Sequence, residues 1–186
     1  GAISHRDGAA TLADGGTLFL DELSEMDISL QSKLLRFIQT GTFQKVGSSQ
    51  QEQVDIRFIS ATNRDPLQAI EEKKLREDLY YRLNVLPIRV PPLRERTEDI
   101  PILVDHFITK HNVKLGTPIT RVAPKAQRML LSYPWPGNVR ELENLIFRLA
   151  ALSPDATISQ RDIERELRAE TLKELSPEAS LESEIE

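Results

Sequence analysis

Two adjacent carboxylates, Asp21 and Glu22, end a short apolar run that begins at Gly16. Such a run is typical of a strand covered on both faces in a parallel sheet. Ligands of open α/β sheets bind at the carboxyl ends of the strands. Two acids there suit a nucleotide's Mg²⁺ and the water that attacks phosphate, because hard cations take oxygen ligands. The alternative is that one of these acids only caps the next helix.

A second apolar segment ends in the same way. Residues 53–60 predict a strand that continues into the polar residues Thr62 and Asn63. The two strands would therefore present polar side chains at one edge of the sheet, where they can face a single ligand.

Two arginines, Arg76 and Arg82, flank the acidic and aromatic segment at residues 77–81. Guanidinium groups bind phosphate oxygens bidentately, and an arginine supplied by a neighbouring subunit can stabilise the charge on a transferring phosphoryl group. The alternative is surface ion pairing with Glu77 and Asp78.

A third arginine, Arg140, lies in the first turn of a helix predicted to begin at Asn138. The helix dipole disfavours a cation there by about 0.3–1 kcal/mol, and a nearby phosphate would offset that cost. Asn138 is predicted to cap this helix while Glu141 reaches back in a capping box. The alternative for Arg140 is a solvated side chain.

The order of elements predicts two parts of the chain. After the acid pair, a helix is predicted to end at Gly41. Its apolar stripe consists of Leu30, Leu34, Phe37 and Ile38. Residues 85–90 predict a last short strand, which Pro87 restricts to an edge or irregular position. The pattern after Pro91 and Pro92 is entirely helical.

This order predicts an α/β core over residues 1–93 and a small helical lid over residues 94–168. Residues 169–186 are acidic, lack aromatic residues and predict a disordered tail.

Composition excludes several classes of protein. The 186 residues carry a net charge of −5, so the chain as a whole has no electrostatic footprint for nucleic acid. The absence of cysteine excludes a disulfide scaffold and a thiolate zinc site. No apolar stretch approaches membrane-spanning length, and we expect a cytoplasmic protein. His5, His106 and His111 are predicted to be surface or packing residues, and Trp135 a core residue.

Taken in order, these motifs resemble the AAA+ ATPase domain of bacterial enhancer-binding proteins, which activate sigma-54 RNA polymerase. The resemblance implies that the strand ending at Asp21 and Glu22 is the Walker B strand and that Thr62 and Asn63 are sensor I. Asp21 would then organise Mg²⁺ beside ATP, and Glu22 would polarise water.

The resemblance extends to the arginines. Arg76 and Arg82 match the two arginine fingers, which point at ATP in the next subunit of a ring, a hexamer in this family. Arg140, within Trp-Pro-Gly-Asn-Val-Arg-Glu-Leu, matches the sensor II arginine. Gly1 and Ala2 match the end of the loop that touches sigma-54. DNA would be contacted only through a domain that this chain does not include.

One family motif is missing. No G-x-x-x-x-G-K-[ST] occurs, although this loop holds the β- and γ-phosphates of ATP. We therefore expect that the chain alone neither binds ATP tightly nor hydrolyses it. Because the Walker A strand in the family lies between the sensor I strand and the last strand, residues 85–90 should be left unpaired or wrongly paired, with an apolar sheet face exposed. The alternative function is a degenerate AAA+ module that binds partner subunits without hydrolysing nucleotide.

Overall fold

The computed structural model describes residues 8–45, 50–152 and 155–175, with side chains to residue 169. Gly1, Ala2 and His5 lie outside these ranges. The chain separates into two compact units, Gly1–Ile88 and Arg89–Glu186. The first is α/β and the second is largely helical, which confirms the predicted class of a partial AAA+ core followed by a helical lid. No described helix is both long and apolar enough to span a bilayer.

The described helices and strands follow one another along the chain. The helices are α1 Ala9–Leu12, α2 Ile28–Thr40, α3 Pro66–Glu71, α4 Glu77–Leu83, α5 Asp99–Leu115, α6 Pro124–Ser132, α7 Asn138–Leu152 and α8 Gln160–Leu175. The strands are β1 Thr17–Leu20, β2 Thr42–Gln44, β3 Gln51–Gln53, β4 Arg57–Ser60, β5 Arg121–Val122 and β6 Thr157–Ile158.

The central pair of strands in the first unit is parallel. β1 and β4 pair in a register that sets Leu20 opposite Ser60. On one face, Phe58 packs edge-on against Phe37 of α2 with ring centroids 5.5 Å apart. On the other face, Phe19 is 57% exposed. The prediction that this strand is covered on both faces is therefore wrong for the described residues, because helices pack on one face only.

The predicted strand at residues 53–60 is also two separate strands. β3 pairs antiparallel with β2, whereas β4 pairs parallel with β1. Between them the Val54 N–H donates to the Gly41 carbonyl at 2.9 Å, and the Asp55 N–H donates to Asp14 Oδ1 at 2.8 Å. The predicted strand is interrupted at these residues because β3 pairs with β2, whereas β4 pairs with β1.

Helix α2 presents most of its predicted apolar stripe to the core, since Leu34, Phe37 and Ile38 all pack inward. It ends at Gly41, which adopts the left-handed conformation (φ 67°) expected of a C-terminal cap. Leu30, however, is 47% exposed, and Gln31 is fully buried in its place. The predicted stripe is thus wrong only at its first position, where a polar side chain is buried instead of a leucine.

The last predicted strand does not form. Residues 87–90 have no regular structure and pair with no strand in the described part of the chain. Val85 is 84% exposed and Ile88 is 81% exposed. Within the described residues, this segment is therefore apolar, exposed and unpaired, which agrees with the first of the two predicted outcomes.

The second unit has the larger core. Seventeen buried apolar residues of the described chain form one cluster there, against four in the first unit. Trp135 is fully buried, as predicted, and its Nε1–H donates to the Leu130 carbonyl at 2.9 Å. The lid therefore contains most of the hydrophobic burial that stabilises the described chain.

Helix α8 begins with a polar cap and extends beyond the predicted limit of the lid. Asp162 accepts hydrogen bonds from the Ser159 hydroxyl at 2.6 Å and the Ser159 N–H at 2.8 Å. The hydroxyl contact is the main reason that the pKa of Asp162 is lowered. The helix continues to Leu175, so residues 169–175 are helical where the sequence predicts a disordered tail. Residues 176–186 lie outside the described ranges.

His111 is a buried packing residue on α5, and neither ring nitrogen has a hydrogen-bond partner within the described residues. Its ring stacks on Phe107 and meets Phe147 edge-on. Burial lowers the pKa of His111, and the positive charges of Lys110 and Lys114 act in the same direction. Glu143, 3.9 Å away, opposes the shift but does not reverse it. His111 is therefore neutral in the folded lid at neutral pH.

A neutral buried histidine makes the stability of the lid depend on pH. Because the folded pKa lies below the ordinary 6.5, the unfolded chain binds more protons as the pH falls through that value. We expect the melting temperature to fall from about pH 6.5 downward and His111→Leu to reduce that fall. Thermal unfolding at several pH values measures this. The exposed His106 supplies the control, and a His106→Leu variant that flattened the profile equally would contradict the assignment.

Candidate active site

The acid pair lies at the end of β1, next to the end of β4. Pairing continues one step past the strands, because the Ala61 N–H donates to the Leu20 carbonyl at 2.9 Å. The Leu23 N–H then donates to the Ala61 carbonyl at 3.2 Å. These bonds hold Asp21 and Glu22 beside Ala61 and Thr62, so the structure brings the two predicted polar strand ends together.

Glu22 has an unusual backbone for a residue with a side chain. Its φ of 49° and ψ of 48° lie in the left-handed region, which costs a non-glycine residue about 1 kcal/mol. Asp21 Oδ1 accepts the Glu22 N–H at 3.0 Å, and both side chains are exposed. The chain thus turns sharply at the acid pair and leads into a 3₁₀ turn at Leu23–Glu25.

Polar contacts join this turn to the segment after β4. The hydroxyl of buried Ser24 lies 3.2 Å from the hydroxyl of Thr62. Arg64 Nε donates to Glu25 Oε1 at 2.7 Å, and the Arg64 N–H donates to Thr62 Oγ1 at 3.2 Å. Sequence reasoning missed Ser24, Glu25 and Arg64. The only available signal was their position, one to three residues beyond the predicted site residues.

The carboxylates of Asp21 and Glu22 are suited to a hard cation, but they would not enclose one. Neither is held in an ion pair within the described residues, and one oxygen of Asp21 already accepts a backbone N–H. No cluster of three acidic or histidine ligands occurs in the described ranges. A Mg²⁺ ion here would have to take its other ligands from water and phosphate oxygens, as Mg²⁺ at nucleotide sites ordinarily does.

Arg76 is held within its own unit. Its Nε and Nη2 donate to the two carboxylate oxygens of Asp78 at 3.0 and 2.7 Å, and its Nη1 donates to Ser32 Oγ at 3.0 Å. This bidentate contact lowers the pKa of Asp78 and raises the pKa of Arg76. The ion-pairing alternative from the sequence is therefore what the single chain adopts at Arg76.

Arg82 differs from Arg76. It lies in the last turn of α4, is exposed, and has no ion pair or hydrogen bond from its guanidinium within the described residues. Neither arginine contacts Asp21 or Glu22 in the described part of the chain. The guanidinium of Arg82 is thus accessible to a group outside this chain.

Arg140 and Asn63 are both exposed. The start of α7 near Arg140 differs from the prediction. Asn138 does not cap the helix, because its Oδ1 accepts the Leu93 N–H at 2.9 Å. Glu141 does reach back, and it accepts the Gly137 N–H at 2.7 Å. Asn138 therefore anchors the beginning of the second unit at Leu93, and Glu141 serves as the cap of α7.

The chain matches known families along most of its length. Residues 1–89 match the Sigma-54 interaction domain, and residues 94–180 match the AAA+ ATPase lid domain. The chain belongs to the family of sigma-54-dependent activators. In this chain, the acid pair at the end of β1 lies in the part that matches the Sigma-54 interaction domain, and Arg140 lies in the part that matches the lid domain.

Relatives from several bacteria support this assignment. The luminescence regulatory protein LuxO of Vibrio campbellii is 54% identical over 153 residues, which cover 82% of this chain and 34% of LuxO. The Nif-specific regulatory protein of Azotobacter vinelandii is 52% identical over 163 residues, covering 88% and 31%. NtrC of Rhizobium meliloti is 48% identical over 170 residues, covering 91% and 35%. The chain therefore spans about a third of the length of these relatives.

A solved structure has the same fold. NtrX from Brucella abortus, crystallised in complex with ATP, aligns with a TM-score of 0.75 and 35% sequence identity. The alignment covers 90% of this chain and 42% of that one.

Proposed function

We propose that this chain is the Walker B and lid portion of an ATPase subunit that remodels sigma-54 RNA polymerase to regulate transcription in the bacterial cytoplasm. The observation that carries the proposal is the pair of exposed carboxylates at the end of β1, beside Thr62 at the end of β4. The match to the Sigma-54 interaction domain and the ATP complex of NtrX support ATP as the substrate.

We assign the chemistry to four residues of the core. Asp21 would hold Mg²⁺, which supplies charge neutralisation at the phosphates when bound. Glu22 would orient the attacking water and accept its proton, and its exposed position at a sharp turn supports this role. Thr62 and Asn63 would sense the γ-phosphate from the neighbouring strand end.

The arginines support action between subunits. Within the described residues, Arg82 has no ion pair and Arg76 is bound to Asp78 and not to the acid pair, so neither arginine completes the site of its own chain. The subunits would form a head-to-tail ring, which the resemblance implies is a hexamer. Arg76 and Arg82 of one subunit would contact the ATP bound to the neighbouring subunit. Arg140, an exposed cation in the first turn of α7, would contact phosphate as sensor II. Gly1 and Ala2 would belong to the segment that touches sigma-54, and DNA binding would need another domain.

Mixing subunits tests this proposal. The assay uses a hybrid chain. In this hybrid, residues 8–175 of the present chain replace the matching part of NtrX from Brucella abortus. In a Glu22→Gln subunit the arginines are intact, and in an Arg82→Ala subunit the acid pair is intact. Each alone should hydrolyse ATP poorly, and an equal mixture should recover to about a quarter of wild-type turnover, because one interface in four combines two intact halves. If the unaltered hybrid hydrolyses ATP but the mixture does not recover, action between subunits is contradicted. If the unaltered hybrid is itself inactive, the result favours a non-hydrolysing interaction module.

A further inference from the structure

The amide of Gln31 is fully buried in the first unit and makes three hydrogen bonds there. Its Nε2 donates to the Met26 carbonyl at 2.8 Å and to the Lys74 carbonyl at 2.7 Å. Its Oε1 accepts the Arg76 N–H at 2.9 Å. Both amide hydrogens and one acceptor position are therefore used, so the side chain has one fixed orientation.

These bonds join two parts of the proposed machinery that are far apart in sequence. Met26 ends the 3₁₀ turn that begins directly after Glu22. Arg76 is the N-cap residue of α4, the helix that carries Arg82 in its last turn. A single buried amide thus links the turn behind the acid pair to the start of the arginine helix.

The next residue of α2 extends the link to the arginine side chain. Ser32 Oγ accepts Arg76 Nη1 at 3.0 Å, so adjacent α2 residues hold both the backbone and the guanidinium of Arg76. The fully buried Leu79 anchors α4 in the core formed with α2. A shift of the acid turn relative to α2 would therefore be transmitted to Arg76 through the hydrogen bonds of Gln31.

We propose that Gln31 and Ser32 are positioning residues that fix the arginine helix relative to the acid turn of the same subunit. The proposal rests on the proposed function, because it gives Arg76 and Arg82 a role at the neighbouring subunit's ATP. On this proposal, Gln31 acts through the arginines. It therefore affects hydrolysis of the ATP bound to the neighbouring subunit and not hydrolysis at the acid pair of its own chain.

The test is Gln31→Met in the hybrid chain, which keeps the side-chain length and removes all three hydrogen bonds. We expect ATP turnover to fall at least about tenfold. An equal mixture with Glu22→Gln should then recover to about a quarter of wild type, as the Arg82→Ala mixture does. A positioning role limited to the chain's own acid pair would give no recovery, because both subunits would then fail at the same half of the interface.

Controls separate the possible outcomes. Gln39→Met makes the same chemical change at an exposed position of α2 and should leave turnover unchanged. Recovery with Arg82→Ala but not with Gln31→Met overturns this inference and leaves the proposed function standing. Failure of the Arg82→Ala mixture overturns both. Should Gln31→Met fail to assemble, the exposed Ser32→Ala replaces it, and the same recovery is expected from the loss of the Arg76 contact alone.

Discussion

Replacing Glu22 with glutamine in the hybrid chain is expected to lower kcat for ATP hydrolysis by about 10²–10⁴-fold, the contribution of a general base. Glutamine has the same size and still forms hydrogen bonds to water, but it cannot accept a proton at neutral pH. KM should change little, because phosphate and Mg²⁺ contacts of the ground state do not depend on this carboxylate. Steady-state release of phosphate measures both constants.

The control for this prediction is Glu71→Gln, at the end of α3. Glu71 is an exposed carboxylate without an ion pair in the described residues, so the same chemical change removes no proposed contact. Its turnover should match that of the unaltered hybrid. Undiminished hydrolysis by Glu22→Gln would remove the basis for reading the end of β1 as a Walker B site.

The sequence predicted elements well where the signal was local. Gly41 ends α2 in the left-handed conformation that glycine adopts without strain, as the predicted C-terminal cap requires. The acid pair at the end of β1 was predictable for the same reason, because an abrupt change from apolar to acidic residues marks the end of a strand. These features depend on a few adjacent residues and not on the rest of the fold.

The failures are features that distant residues decide. Gln31 has no apolar character, yet it occupies the buried face of α2 because its amide satisfies backbone groups at Met26, Lys74 and Arg76. Those partners become visible only once the chain is folded, so periodicity selected the exposed Leu30 instead.

The prediction that Asn138 caps α7 failed for the same reason. Its residue type and position favour a cap, but in the fold its Oδ1 accepts the N–H of Leu93, 45 residues away. A local propensity thus yields to a tertiary hydrogen bond. The segment at residues 85–90 illustrates a second cause, since a sequence can favour a strand that forms only when a neighbouring strand is present.

The lid provides the largest expected effect on stability. Trp135→Ala in the 186-residue chain should lower the free energy of unfolding of the lid by about 3–5 kcal/mol, because the side chain is fully buried in the main cluster. Trp135→Phe keeps an aromatic ring and the edge-on contact with Tyr133 but removes the N–H donated to Leu130. Its cost should therefore be smaller, since less apolar volume is lost. Urea unfolding followed by circular dichroism measures the free energy of unfolding of the two variants and of the unaltered chain.

Val113→Ala is the matched control for this series. Val113 belongs to the same unit and is apolar, but it is 84% exposed, so its truncation should stay within about 0.5 kcal/mol of the unaltered chain. The left-handed backbone of Trp135 (φ 49°) is present in all variants of that position and does not favour alanine over phenylalanine. If Trp135→Ala unfolded with the same midpoint as Val113→Ala, the indole could not be the centre of the lid core. The turn that it anchors ahead of α7 would then need another source of rigidity to hold Arg140 in place.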